Sequence, residues 1–411
     1  MKNTNEPSVI VEIRGDEAAN EMFSLVRERI IKPLVDVSLH SFDLSLANRE
    51  ATSDAITLQA AAAVMKHRAA VKCSTITPTA SQVENYGLSQ RWKSPNATIR
   101  KALNGVIFRE PIVLDSVPRI VPGWEAPIVV ARHANADQYQ AADFTVSGAG
   151  SLRLSFIPSD GSAPLIKEVT TFGSDGGVAL GMYNNMDSIR AFARACFQQA
   201  LRLGLPLYFS TKHTVLKEYD GAFVETFEAV YRAEFTHLFA RAGLSYEHRL
   251  IDDMVSFAIK SSGGFLWALK NYDGDVQADI VAQGFGSPGL MASVLAGEDG
   301  KTCLFEAAHG TVARHYKRWA KGEVLGANPV ATISAWSRAL EHRGALDSND
   351  ELVEAARTID AAIRQTVADG VMTADLADLV GGQSPVGTAE FIDAVAGKLS
   401  FHRGRAVGQA D

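Results

Sequence analysis

Residues 283–290 read Gln-Gly-Phe-Gly-Ser-Pro-Gly-Leu, so that Gly284, Gly286 and Gly289 spell Gly-x-Gly-x-x-Gly. In a dinucleotide-binding Rossmann unit this motif follows a strand and opens a helix, and backbone amides with the helix N-terminus cradle a pyrophosphate. Glu306 lies about 20 residues on, where such a unit places an acid for the ribose hydroxyls. The context does not fit. The segment before the glycines, Asp279-Ile-Val-Ala-Gln283, reads as the tail of a helix that begins near Gly274, and the motif needs a strand there. The meaning of these glycines has to come from the rest of the chain.

Working outward, the N-terminal region alternates. A strand at Val9–Ile13 is followed by a helix to about Lys32, a strand at about Leu34–Leu39, a helix at about Ala51–His67 and a strand at Ala69–Thr75. That βαβαβ order predicts a mostly parallel sheet. Residues 137–185 are rich in Gly, Ser and Thr and carry strand-like runs such as Leu152-Arg-Leu-Ser-Phe156, which reads as a small β-rich insertion. Ile189, Phe192, Ala193, Cys196 and Ala200 then form a helical stripe within Asp187–Leu203. Gly204 stops that helix and Pro206-Leu-Tyr-Phe209 is a short strand, leaving Lys212 just past its carboxyl end. Open α/β sheets bind their ligands at that edge. Residues 222–242 and Arg249–Ser262 read as helices, Phe265–Leu269 as a strand, and the C-terminal part as amphipathic helices such as Glu351–Ala368.

A chain of 411 residues has room for two or three domains around a large core. With 46 % hydrophobic and 21 % charged residues it folds rather than remaining disordered. The net charge of −7 argues against a nucleic-acid partner while leaving room for a local basic pocket. Cys73, Cys196 and Cys303 are too widely spaced for a metal cluster or a disulfide framework, as in a reducing cytoplasm. No apolar run is long enough for a signal core or a membrane span. The expectation is a soluble, cytoplasmic protein.

Asp252, Asp275 and Asp279 are carboxylates without histidine or thiolate neighbours, and the last two are four residues apart on one helix face. Such a set suits a hard divalent cation, Mg²⁺ or Mn²⁺. On spacing alone the plainer reading, a helix-terminal charge and a solvated one, stands beside it. Arg100, Arg109 and Arg132 fall near expected sheet ends, in company with Ser94 and Asn96. Arginine grips carboxylates in a bidentate manner, so the combination fits a di- or tricarboxylic acid. The run Glu306-Ala-Ala-His-Gly-Thr-Val-Ala-Arg-His315 joins small residues, which let a backbone approach phosphate, to Arg314 and His315. That pairing favours the extra phosphate of NADP over a free ribose.

These runs, with Lys72-Cys-Ser-Thr-Ile-Thr-Pro78, Trp92-Lys-Ser-Pro-Asn96, Asp137-Gln-Tyr139, Tyr246-Glu-His-Arg-Leu-Ile-Asp-Asp-Met254, Lys270-Asn-Tyr-Asp-Gly-Asp275, Ala308-His-Gly-Thr311 and Asn328-Pro329, occur in order from about Val9 to Leu399. In them the chain resembles the isocitrate/isopropylmalate dehydrogenase family, and most closely its homodimeric NADP-dependent isocitrate dehydrogenases. The resemblance implies an α/β fold that is not Rossmann. It implies a large domain from residues 1–103 and 286–411, a small domain from 104–136 and 186–285, and a clasp insertion at 137–185. It also implies that the glycines at 284, 286 and 289 serve a turn and close helix packing.

By the same resemblance, Thr77, Ser94, Asn96, Arg100, Arg109 and Arg132 bind isocitrate, and Tyr139 and Lys212 are the acid/base pair. Asp252, Asp275 and Asp279 are the ligands of Mg²⁺ or Mn²⁺, with Lys212 and Asp252 reaching in from the partner subunit of a homodimer. Lys72, Thr75, Lys260, Gly310, Thr311, Val312, Arg314, His315 and Asn328 contact NADP. The chain departs from the family pattern at Gln82, usually Arg, at Phe257, usually Gln, and at Ala97 and Ala136, usually Gly. Ala97 keeps open a second substrate, an isocitrate-like acid with a phosphonate in place of one carboxylate.

Overall fold

The run Val9-Ile-Val-Glu-Ile-Arg14 forms the first strand, β1, and is buried on both faces, as a near-continuous apolar run inside a parallel sheet must be. It belongs to a computed structural model describing residues 8–311, 317, 319 and 321–407. The further strands are β2 (Ser38–Asp43), β3 (Ala69–Lys72), β4 (Val106–Pro111), β5 (Ala126–His133), β6 (Ala142–Val146), β7 (Gly150–Phe156), β8 (Leu165–Phe172), β9 (Gly177–Gly181), β10 (Leu207–Thr211), β11 (Tyr246–Leu250), β12 (Gly263–Leu269), β13 (Met291–Ala296) and β14 (Cys303–Ala307). Among the described residues, ten of them make one sheet in the order β11-β10-β12-β5-β4-β13-β14-β3-β1-β2.

The sheet has two parallel blocks, β11-β10-β12-β5 and β14-β3-β1-β2. They are joined through β4 and β13, which run antiparallel to each other and to their outer neighbours β5 and β14. The parallel βαβαβ start is therefore correct, and the mixed seam is an addition that the sequence pattern did not show. Between β5 and the helix Met186–Leu203 the chain makes two antiparallel ribbons, β6 with β9 and β7 with β8.

The bounds of several elements differ from expectation. The first helix does not end at Lys32 but runs from Glu17–Val26 through a π turn, Arg27–Ile31, to Lys32–Leu34, which pushes β2 from 34–39 to Ser38–Asp43. Arg249 lies on β11, and its helix is the shorter Ile251–Lys260.

The glycine motif sits between a helix and a strand, the reverse of a Rossmann turn. The helix Asn271–Gly284 ends, Pro288–Leu290 makes a 3₁₀ turn, and β13 follows. A Cβ on Gly284 would lie 2.0 Å from Trp124 Cζ3, so the glycine is there to let the helix close on a buried tryptophan. The apolar core is divided between the two parallel blocks. Trp336, Phe23 and Phe391 pack the C-terminal helices on one, and Phe192, Phe197, Phe209, Phe223, Phe227 and Phe239 pack the other. Each such ring, fully buried, contributes about 1.5–3 kcal/mol. No helix among the described residues is long and apolar enough to cross a membrane.

Candidate active site

Arg109 on β4 and Arg132 on β5 point at the helix Asn271–Gly284, which opens directly after β12. Arg132 Nη1 donates to Asp275 Oδ1, Arg109 Nη2 lies 3.3 Å from the same oxygen, and Arg109 Nη1 lies 3.3 Å from Asp279 Oδ1. Asp275 and Asp279 share the helix face that looks at the two guanidinium groups. Gly274 makes this approach possible, since a Cβ there would sit 2.8 Å from Arg132 Cβ.

Tyr139 stands on the short 3₁₀ turn Asp137–Gln140, with Arg132's guanidinium 4.7 Å over its ring and its hydroxyl donating to Asp275 Oδ2 at 2.5 Å. Burial, with this hydrogen bond to an anion, pushes the phenol up to about 12. Burial opposes ionisation of Asp275, but Arg132, the Tyr139 hydroxyl, Arg109 and Arg100 together hold its carboxyl below the usual range. Arg100, on the helix Pro95–Leu103, brings a third guanidinium within reach of these groups and lies 4.0 Å from Glu306. Burial, and then Arg100 beside it, lowers Arg132 to about 10. Ser94 and Asn96 open the helix that carries Arg100, and the Ser94 side chain makes no capping bond. Thr77 is exposed on the loop after β3.

Lys212 follows β10 and Asp252 begins the helix after β11, so parallel neighbours bring the two together at 2.6 Å. The hydrogen bond from Lys212 holds Asp252 below the usual carboxylate range. Among the described residues, no hydrogen bond or ion pair joins this pair to Asp275 or Asp279, and no three His, Cys, Asp or Glu gather to hold a metal within one chain. One chain thus holds Asp275 with Asp279 in one place and Asp252 with Lys212 in another.

Of the expected cofactor residues, Lys72, Thr75, Gly310 and Thr311 border the carboxyl ends of β3 and β14. Lys72 Nζ donates to Cys73 O at 2.8 Å and lies 3.5 Å from Glu306, so Glu306 is an ion-pair acid and not the ribose ligand its spacing imitates. Ser74 Oγ donates to His309 O at 2.8 Å, tying the two loops together. Thr75 Oγ1 and His309 Nε2 are buried without a partner among the described residues, and burial pulls the His309 imidazole below its usual range. Gly310 leaves open space where a Cβ would stand, and Thr311 O accepts from Ala19 N. Lys260 is exposed at the end of its helix. The Asn328 side chain is engaged within the fold, donating to Asp375 and accepting from Val330 N. Val312, Arg314 and His315 lie outside the described residues.

A profile of the isocitrate/isopropylmalate dehydrogenase family matches residues 7–395. The chain belongs to that family. It is 51 % identical over 391 residues to a Mycobacterium bovis protein named isocitrate dehydrogenase [NADP] 1, covering 95 % of this chain and 96 % of that one. To the mitochondrial isocitrate dehydrogenase [NADP] of Bos taurus it is 50 % identical over 407 residues, or 97 % of this chain and 89 % of the relative. To the chloroplastic/mitochondrial isocitrate dehydrogenase [NADP] of Arabidopsis thaliana it is 49 % identical over 395 residues, or 95 % and 81 %.

Within this isocitrate/isopropylmalate dehydrogenase chain, the departures have local uses. Gln82 closes a capping box with Thr79, accepting from its backbone N–H at 2.9 Å. Phe257 packs on Tyr208 and lies under Arg249 at 4.2 Å. Ala136 is buried at φ +53° and ψ −138°, a conformation suited to glycine. Two residues to which the sequence assigned no role, Asp137 and Asn271, lie behind the site and join its parts. Their signal was present only as letters inside the runs Asp137-Gln-Tyr139 and Lys270-Asn-Tyr-Asp-Gly-Asp275.

Proposed function

We propose that this chain is an isocitrate dehydrogenase that reduces NADP while converting isocitrate to 2-oxoglutarate and CO₂, working as a homodimer with shared active sites. The observation that carries the reading is the convergence of Arg109 and Arg132 on Asp275, Asp279 and Tyr139, with the Arg100 guanidinium near enough to feel the charge of Asp275. It occurs in a chain about half identical, over nearly its whole length, to proteins named isocitrate dehydrogenase [NADP]. Three guanidinium groups offset the charge of a tricarboxylate.

The all-oxygen donor set fits a hard divalent cation. Asp275 and Asp279, with Asp252 of the partner subunit, would hold Mg²⁺ or Mn²⁺, which would draw electron density from the substrate's hydroxyl and keto oxygens. The loops of Lys72–Thr75 and His309–Thr311 would hold NADP, which would supply the hydride acceptor. The unpartnered Thr75 hydroxyl and His309 nitrogen fit such a polar neighbour. A base relay through the partner's Lys212 takes the hydroxyl proton as hydride leaves the adjacent carbon. Arg132 and Arg109 hold the carboxylates so that the β-carboxylate leaves as CO₂. Tyr139, held protonated at neutral pH, then gives its proton to the carbon that carboxylate has left.

The exposed apolar side chains of the ribbons, among them Phe144, Phe156 and Val178, offer a surface on which a second copy would dock. Unpaired Cys73, Cys196 and Cys303 fit a reducing, cytoplasmic setting. Charge-assisted contacts from Arg314, His315 and the partner's Lys260 would favour NADP over NAD by ~10²-fold or more.

Ala97 is the observation behind the phosphonate alternative, and the relatives' names favour isocitrate. Steady-state kinetics with both acids test the choice. A higher kcat/KM for isocitrate is expected, and a reversed order would replace it as the substrate.

A further inference from the structure

We infer that Asn271 is a positioning residue that keeps the substrate arginine Arg132 and the turn presenting Tyr139 in one register. Asn271 is 2 % exposed and is the first residue of the helix that carries Asp275 and Asp279. Its Oδ1 accepts from Arg132 Nε at 2.9 Å and its Nδ2 donates to Ala136 O at 3.2 Å. Its backbone N–H donates to Asp137 Oδ2 at 3.1 Å. A carboxamide is the short side chain that offers an acceptor to one neighbour and a donor to the other.

The turn it holds needs holding. Ala136 and Asp137 both have positive φ, +53° and +52°, where side chains other than glycine are rare and persist only when their surroundings fix them. Asp137, 1 % exposed, supplies the rest of the lock. Its Oδ1 accepts from Tyr219 OH at 2.5 Å and Asn184 Nδ2 at 3.1 Å. Tyr139 is two residues further on, with its hydroxyl on Asp275, a residue of Asn271's own helix. One side chain thus fixes Arg132 by its oxygen and Tyr139's turn by its nitrogen, so the two functions can be separated by substitution.

This inference rests on the roles proposed above for Arg132 and Tyr139. Asn271→Asp keeps an oxygen for Arg132 Nε but turns a second oxygen toward Ala136 O. The expected result is a KM for isocitrate within about threefold of the parent and a kcat lower by about 10²-fold, the cost of a misplaced acid. Asn271→Ala removes both contacts, and KM should also rise by about tenfold or more. Asp137→Asn loosens the turn while leaving both Asn271 side-chain contacts in place, and should lower kcat at unchanged KM, which keeps the test open should an Asn271 variant fail to fold.

Equal KM in all variants, with kcat reduced only in proportion to the folded fraction seen by circular dichroism, would overturn the inference and leave a structural role. Arg132→Lys and Tyr139→Phe are measured alongside. If those are impaired and the Asn271 and Asp137 variants are normal, only this inference fails. If Arg132→Lys and Tyr139→Phe are normal, the underlying reading fails with it.

Discussion

Lys270→Met tests whether the buried charges behind the site stabilise the fold as a unit. Lys270 Nζ lies 2.8 Å from Asp220 Oδ1 and 3.5 Å from Asp273 Oδ2. Asp220 is fully buried, and its other oxygen accepts from the Lys212 backbone N–H at 2.8 Å. Burial works against the Lys270 charge, but Asp273 and Asp220 hold its ammonium above the usual lysine value. Methionine fills much of the same space but leaves two acids facing each other with no cation. Removing one partner of a buried pair costs about 3–5 kcal/mol, because the other charge is stranded. At about 2 °C per kcal/mol for a chain of this size, Tm should fall by about 6–10 °C. Urea unfolding followed by tryptophan fluorescence, with calorimetry, gives the value. Adding Asp220→Asn to Lys270→Met should recover part of the loss. A single variant within about 1 kcal/mol of the parent, at an unchanged m-value, would refute the reasoning.

Further expectations are specific. Asp275→Asn removes the charge that Arg109, Arg132 and Tyr139 share. It should abolish turnover with Mg²⁺ or Mn²⁺ while circular dichroism stays native, and near-normal activity would remove Asp275 from the cation site. Mixing inactive Lys212→Ala and Tyr139→Phe subunits should restore part of the activity, because each heterodimer assembles one intact site; no recovery after demonstrated subunit exchange contradicts shared sites. Burial lowers His133 from 6.5 to about 4, in a pocket against Phe192. The unfolded chain therefore binds the proton first, so stability is full above about pH 6.5 and falls by up to about 3 kcal/mol as pH drops toward 4. His133→Gln should flatten that part of the curve, and an unchanged slope would assign it to other groups.

How much of this was legible in the sequence depended on whether a residue's role is local or tertiary. The helix Met186–Leu203 followed from its apolar stripe almost to the residue. The edge strand β2, Ser38-Leu-His-Ser-Phe-Asp43, is half exposed and carries no such stripe, so the apolar Leu34–Leu39 drew the strand too early. β11 was hidden for a similar reason, because Tyr246-Glu-His-Arg-Leu250 is only partly buried and runs straight into a helix. The antiparallel seam was invisible because β4 meets β13 across some 180 residues of chain. Arg109, Arg132, Asp275 and Asp279 stood out by residue type and spacing, the family's motifs gave them roles, and the fold brings them together. Asp137 and Asn271 are buried by tertiary contact alone, and a buried polar residue leaves no periodic trace.

The most direct test is one incubation of the purified protein with isocitrate, NADP and Mg²⁺ or Mn²⁺, following NADPH by absorbance and assaying CO₂ and 2-oxoglutarate. The account predicts all three in equal amounts, with kcat/KM for NADP ~10²-fold or more above that for NAD. NADPH formed without CO₂, or no NADPH from protein shown to be folded, would contradict it.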